Sequence, residues 1–257
     1  MIEDAATWPR PVRLGILVIH NDPVPETEIW SLAASHHHTV HTARFWTPRA
    51  MGVEFTGLGV DALLEETGLG DSVEQLRLLG VDAIGYCFAS SSVFGGTAFD
   101  REFEARVSVR AGCPVITTGS ALREAFGRVD SSGVGIVVPP WFSDGTVSRL
   151  LDYLDPRLTR DDVYQFELPE IWSGIERPDL FDRGARHAID QDEVVRQTVE
   201  VFGGRVGTVL VPGSGFASLG AARVLEADHG IDVVSANSAL FESLKRAAYA
   251  AAMTSAT

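Results

Sequence analysis

Cysteine is scarce. Cys87 and Cys113 are the only two in 257 residues, and they form neither a CxxC pair nor a Cys/His cluster. That spacing excludes a disulfide framework and a thiolate metal centre. Cationic residues are also few, with 21 Lys and Arg against 35 Asp and Glu, giving a net charge of −14 and a pI near 4.8. A body of that charge repels nucleic acid and anionic membrane surfaces, so neither is expected as a partner. Long apolar runs are missing as well: none is long enough to span a bilayer, and the first 13 residues carry no apolar signal core. A cytoplasmic location is expected. A hydrophobic fraction of 45% with 22% charged residues is that of an ordinary folded chain. A small molecule is therefore the expected partner, and an anionic one would need backbone amides or helix N-termini, because the global field opposes it.

What is present is alternation. Short β-branched runs at 13–19, 39–45, 81–86, 114–117, 133–138, 162–167, 206–211 and 232–235 are separated by amphipathic stretches. Those stretches lie at 26–34, 73–79, 99–111, 120–128, 147–154, 191–202, 217–228 and 238–251. The pattern predicts an α/β fold of parallel sheets with crossover helices. The chain also repeats itself at an interval of about 120 residues. Arg13-Leu-Gly-Ile-Leu-Val-Ile-His20 resembles Gly133-Val-Gly-Ile-Val-Val-Pro-Pro140. Val81-Asp-Ala-Ile-Gly-Tyr-Cys-Phe88 resembles Val206-Gly-Thr-Val-Leu-Val-Pro-Gly213, and Cys113-Pro-Val-Ile-Thr-Thr-Gly-Ser-Ala-Leu122 resembles Ile231-Asp-Val-Val-Ser-Ala-Asn-Ser-Ala-Leu240. Two pseudo-symmetric lobes follow, 1–117 plus 231–257 and 118–230, with the site in the cleft where the carboxyl ends of both sets of strands meet.

With these segments the chain resembles the maleate isomerase and arylmalonate decarboxylase branch of the aspartate/glutamate racemase superfamily. The resemblance rests on the first strand, on His41-Thr-Ala-Arg44, on Pro114-Val-Ile-Thr-Thr-Gly-Ser-Ala-Leu122 and on Val233-Val-Ser-Ala-Asn237 before the last helix. It implies a cofactor-free enzyme that works next to a carboxylate with one or two thiols at equivalent strand ends, and it implies a homo-oligomer. It also implies that amides and hydroxyls beside those thiols hold a carboxylate and its enediolate. The first thiol position falls on Phe88, with Cys87 one residue earlier; the second falls on Gly213, followed by Ser214 and Gly215. The family's carboxylate-holding Asn falls on Asp22, with Asn21 beside it, and its loop Tyr on Trp141.

Cys87 and Asp22 are thus the candidate catalytic residues. Asn21, Phe88, Ala89, Ser90, Ser91, Trp141, Gly213, Ser214 and Gly215 are the candidate substrate-binding residues. Side chains alternate along a strand, so Cys87, shifted by one, faces either the cleft or a packed helix as a small core side chain. Three functions remain open: a cofactor-independent isomerase or decarboxylase acting on a small organic acid, a ligand-binding paralogue without chemistry, and a hydrolase or ring-opening enzyme with Asp22 as base. No metal site is expected, because His36-His-His38 and His41 lack the spacing and partners of a ligand set. Thr117-Thr-Gly-Ser120 and Ser235-Ala-Asn-Ser238 read as helix N-caps.

Overall fold

The computed structural model describes residues 11–36, 38–47, 49–129 and 133–255, with side chains as far as 251. His37 of the histidine run and residues 1–10 of the amino-terminal segment lie outside them.

Six of the seven residues of β1 (Arg13–Ile19) are buried. A strand apolar on both faces belongs in a sheet covered on both sides. Leu14, Ile16 and Val18 enter one core and Leu17 and Ile19 another. The first half continues with α1 (Val24–Ala34), β2 (Thr39–Phe45), α2 (Val60–Glu66), α3 (Leu69–Leu79), β3 (Ala83–Cys87), α4 (Ala89–Ala111), β4 (Val115–Thr117) and α5 (Thr118–Phe126). The second contains β5 (Val134–Val138), α6 (Asp144–Leu154), β6 (Val163–Gln165), α7 (Arg177–Asp182), α8 (Gln191–Phe202), β7 (Thr208–Val211), α9 (Leu219–His229), β8 (Asp232–Ser235) and α10 (Ala236–Ser255).

Two four-stranded sheets result, ordered β2-β1-β3-β4 and β6-β5-β7-β8. Every pairing is parallel. The same order occurs twice, as the repeated segments predict. Even the caps are repeated: Thr117 Oγ1 accepts from the Ser120 amide at 3.1 Å, and Ser235 Oγ accepts from the Ser238 amide at 3.0 Å. β8 pairs with β7 in the second sheet, and it is α10, from Ala236 onward, that returns to pack on α5, β3 and α1. The expected boundary at residue 231 therefore precedes one strand of the second sheet.

Two features depart from the sequence reading. The helices α2 and α7 were not anticipated, because neither short segment carries a clear period. The serine run also lies inside α4, which begins at Ala89, ten residues ahead of the predicted helix start at 99. Serine and glycine are poor helix formers, so the run reads as a loop. Burial reverses that preference: Ser91 Oγ pairs with the Tyr86 hydroxyl at 2.9 Å and Ser92 Oγ donates to Asp100 Oδ1 at 2.6 Å. The helix breaks once, at Gly96, whose φ of 67° is open to glycine at little cost.

The two halves share a core. Ile16 and Val18 of β1 belong to the same apolar cluster as Ile136 and Val138 of β5 and Leu210 of β7. A buried polar knot crosses the same interface. Asp100 on α4 accepts from Ser92 Oγ, from Thr117 Oγ1 at 2.7 Å, and from the Tyr153 hydroxyl of α6 at 2.6 Å. Among the described residues, no helix is long and apolar enough to cross a membrane.

Candidate active site

The carboxyl ends of β1, β3, β5 and β7 converge on a cavity of about 100 Å³. Its floor comes from the predicted loops. Asp22 follows β1, Phe88 follows β3 and leads into Ala89 and Ser90, Trp141 follows β5, and Gly213, Ser214 and Gly215 follow β7; all line the cavity. Its remaining walls come from segments in which the sequence shows no motif. Arg49, Val53, Glu54 and Phe55 arrive from the connection between β2 and α2, Phe94 from α4, Phe142 and Thr146 from around α6, and Pro178 and Phe181 from α7.

Cys87 is not among the lining residues. Its side chain is fully buried in the apolar core with Ile16, Val18 and Leu240, while its neighbours Tyr86 and Phe88 point to the opposite face. Strand alternation decides this: a one-residue shift from the thiol position turns the side chain away from the cleft. Burial, and to a smaller extent the carboxyl of Asp22, push the Cys87 thiol well above its ordinary range. Such a thiol is no nucleophile at neutral pH. Cys113 precedes β4, at the amino end of the strands and away from the carboxyl-end loops that line the cavity, and is pushed up to about 11 by burial and by Asp82. Neither cysteine should react with iodoacetamide in the native protein at pH 7, and both should react in urea; mass spectrometry of the alkylated chain checks this.

Asn21 and Ser91 also stand off the cavity. Asn21 Nδ2 donates to Asp182 Oδ1 at 3.2 Å, and Ser91 is buried against Tyr86. Each therefore serves structure: Ser91 ties α4 to β3, and Asn21 ties the loop after β1 to α7. The same Asp182 accepts from both terminal nitrogens of Arg49, at 2.6 and 3.0 Å, and from the Gly52 amide at 3.1 Å. Arg49 thus reaches the cavity with its charge already matched, and the Arg49–Asp182 pair clamps the Arg49–Phe55 wall to α7. Glu54 makes a second clamp, accepting from the Ser143 and Thr146 hydroxyls at the start of α6.

Among the titratable residues that line the cavity, Arg49 and Glu54 are half-buried and Asp22 is buried. It is 2% exposed. Its Oδ1 accepts from the Val24 amide at 3.0 Å, fixing the entry into α1. Burial raises the carboxyl to about 7, against the opposing pull of the Val24 amide and of Arg186 and Arg44, with Glu28 adding to the rise. Its Oδ2 faces Gly215 so closely that a Cβ there would lie 2.7 Å away. At Gly213 a Cβ would stand 2.3 Å from Pro139 Cγ. The second thiol position is therefore filled by the Pro139 ring and has no room for a side chain. Phe88, at the first, packs edge-on to Phe55 with centroids 5.0 Å apart.

The amides of Ala89 and Ser90 open α4 and have no carbonyl one turn earlier to bond, so they present partial positive charge at the cavity wall. The remaining lining is strongly aromatic, with Trp141 against Phe181 at 5.2 Å. No group of His, Cys, Asp and Glu among the described residues is placed to hold a metal ion.

The model of the arylmalonate decarboxylase family matches residues 49–257. The chain belongs to the arylmalonate decarboxylase family. Solved structures share its fold. Unliganded arylmalonate decarboxylase is 18% identical with a TM-score of 0.68, covering 92% of each chain. The maleate isomerase Iso from Pseudomonas putida S16 is 21% identical with a TM-score of 0.69, covering 93% of each chain. A Nocardia farcinica maleate cis-trans isomerase mutant, with a covalently bound succinylcysteine intermediate, is 20% identical with a TM-score of 0.69 over 92% of each chain. No curated protein sequence matches. The Nocardia intermediate is built on a cysteine; in this member of the arylmalonate decarboxylase family the described cavity lining holds no thiol.

Proposed function

We propose that the cavity carries out a cofactor-independent reaction at a carbon next to a carboxylate of a small organic acid, with Asp22 as the acid–base group. The observation that carries this reading is the buried Asp22 carboxyl, raised to about 7, in a cavity whose two thiol positions are Phe88 and Gly213. An acid that titrates near the working pH both donates and recovers a proton efficiently. Below pH 7 Asp22 is neutral and does not repel a substrate carboxylate, which the Ala89 and Ser90 amides can receive.

A single acid–base group fits decarboxylation better than racemisation, which uses a group on each face of the carbon. The carbon–carboxyl bond breaks, CO₂ leaves, and the electron pair moves into the remaining carboxylate as an enediolate. The amides stabilise that charge. The Asp22 O–H then protonates the carbon, and water returns the proton to Asp22.

Proton NMR in D₂O with substituted malonates and maleate tests the reading. Deuterium at the α-carbon that disappears in Asp22→Asn supports it, and equal turnover in that variant sinks it. The pH profile separates acid from base. A proton donor loses kcat/KM as pH rises through about 7, whereas a hydrolase using ionised Asp22 as base gains it over the same range. The loss of both thiol positions, at Phe88 and Gly213, favours a second reading, a binding protein without chemistry. Saturable binding of these acids with no deuterium incorporation would establish that reading.

A further inference from the structure

We propose that Glu28 is a positioning residue of this cavity: through Asn237 it holds the Ser214 carbonyl, and with it the Gly213–Gly215 segment, against Asp22. The proposal takes the cavity to be the site, as above. Glu28 lies on α1 in the first half of the chain and is 6% exposed. Its Oε1 accepts from the Ser218 amide at 2.6 Å and the Leu219 amide at 2.7 Å, at the start of α9 in the second half. The α9 N-cap, Ser218, makes no side-chain capping bond of its own, so the Glu28 carboxylate takes that place across the interface.

Its second oxygen does something a cap does not need. Oε2 accepts from Asn237 Nδ2 at 2.7 Å, and the same Nδ2 donates to Ser214 O at 2.9 Å. A carboxylate only accepts, so it forces Asn237 to present its amino group. Both amino protons are then used, one on Glu28 and one on the backbone of the cavity wall. The cost is visible: Asn237 Oδ1 is buried with no partner. A buried carbonyl left unpaired is destabilising, so this orientation persists because Glu28 and Ser214 together dictate it. Asp22 fixes the entry into α1 and Glu28 lies just over one turn into it, and Glu28 adds to the rise of Asp22. The other charged or titratable groups that act on Asp22 are Arg44 from β2, Arg186 from the segment after α7, and Cys87 from β3.

Glu28→Gln and Asn237→Ala separate the parts. Glutamine keeps an oxygen for the Ser218 and Leu219 amides but sets an amino group against that of Asn237, which must turn and withdraw from Ser214. The readouts are amide hydrogen exchange and carbon-13 titration of Asp22, neither of which needs turnover, so failure of the proposed reaction leaves this test intact. In Glu28→Gln the Phe216 amide, which closes the 213–216 turn at 3.1 Å, should exchange about tenfold faster, the equivalent of one lost hydrogen bond. The Ser218 and Leu219 amides should keep their protection, and the Asp22 midpoint should fall. Asn237→Ala should reproduce the Phe216 effect, and it carries the test if Glu28→Gln does not fold. Unchanged Phe216 exchange in the folded variants, or Phe216, Ser218 and Leu219 loosening together in Asn237→Ala, would overturn the proposal.

Discussion

Replacing Asp22 by asparagine is expected to lower turnover by about 10²–10⁴-fold and, above pH 7, to make the protein more stable. Both effects have one origin. The carboxyl sits 98% out of water and titrates near 7, about three units above its ordinary value of 3.8. Below pH 3.8 the folded and unfolded chains both hold the proton, and the group costs nothing. Between 3.8 and 7 the folded chain keeps a proton that the unfolded chain has lost, so stability falls as pH rises. Above 7 the whole penalty is present, at most about 4 kcal/mol from about 1.4 kcal/mol per unit. Asparagine retains an oxygen for the Val24 amide and has no charge to bury. Urea denaturation of both proteins at pH 4.5 and pH 8.5 checks the sign: the variant should gain at the higher pH and little at the lower. Equal activity would remove Asp22 from the chemistry, and no gain at pH 8.5 would mean that it titrates as an ordinary carboxylate. Gly213→Cys should not restore a lost activity, because the Pro139 ring occupies the space its Cβ needs.

Asp100→Ala is expected to destabilise the protein by about 3–5 kcal/mol. Three hydroxyls, of Ser92, Thr117 and Tyr153, donate to this one carboxylate, which is 3% exposed. Hydrogen bonds to a charged acceptor contribute about 1.5–3 kcal/mol each, and they do not add fully within one network. The bonds also join separate parts of the fold: Ser92 and Asp100 belong to α4, Thr117 ends β4 and caps α5, and Tyr153 is on α6. Tyr153→Phe removes only the link to α6 and should cost about 1–3 kcal/mol. Thermal unfolding of the two single variants and the double variant tests the network: once Asp100 is alanine, Tyr153→Phe should cost almost nothing. Additive losses would show that Tyr153 and Asp100 are not coupled.

Much of the architecture is written in local pattern. β1, with its unbroken Leu14–Ile19 run, and α8, with apolar residues at helical spacing, fall where the sequence places them. The recurrence of one strand order in both sheets agrees with the duplicated segments, because two copies of one βαβ arrangement fold alike. The loops that build the cavity floor were legible for the same reason: Asp22, Phe88, Trp141 and Gly213 each follow a recognisable strand end, and in parallel sheets those ends share one side.

Side-chain direction and distant walls were not legible. Cys87 follows a strand end too, but which face it takes depends on a register that only sheet packing sets. Arg49, Glu54 and Phe181 come from segments with no period and no motif, and they reach the cavity because Asp182 and the start of α6 fasten them there. The sequence by itself determined the two parallel sheets, the acidic surface and the strand-end loops, since hydrophobic period and turn chemistry are local properties of the chain. Only the tertiary structure decided that the thiol is core and that Asp22 is the near-neutral acid of the cavity, because burial is a property of neighbours brought together from both halves.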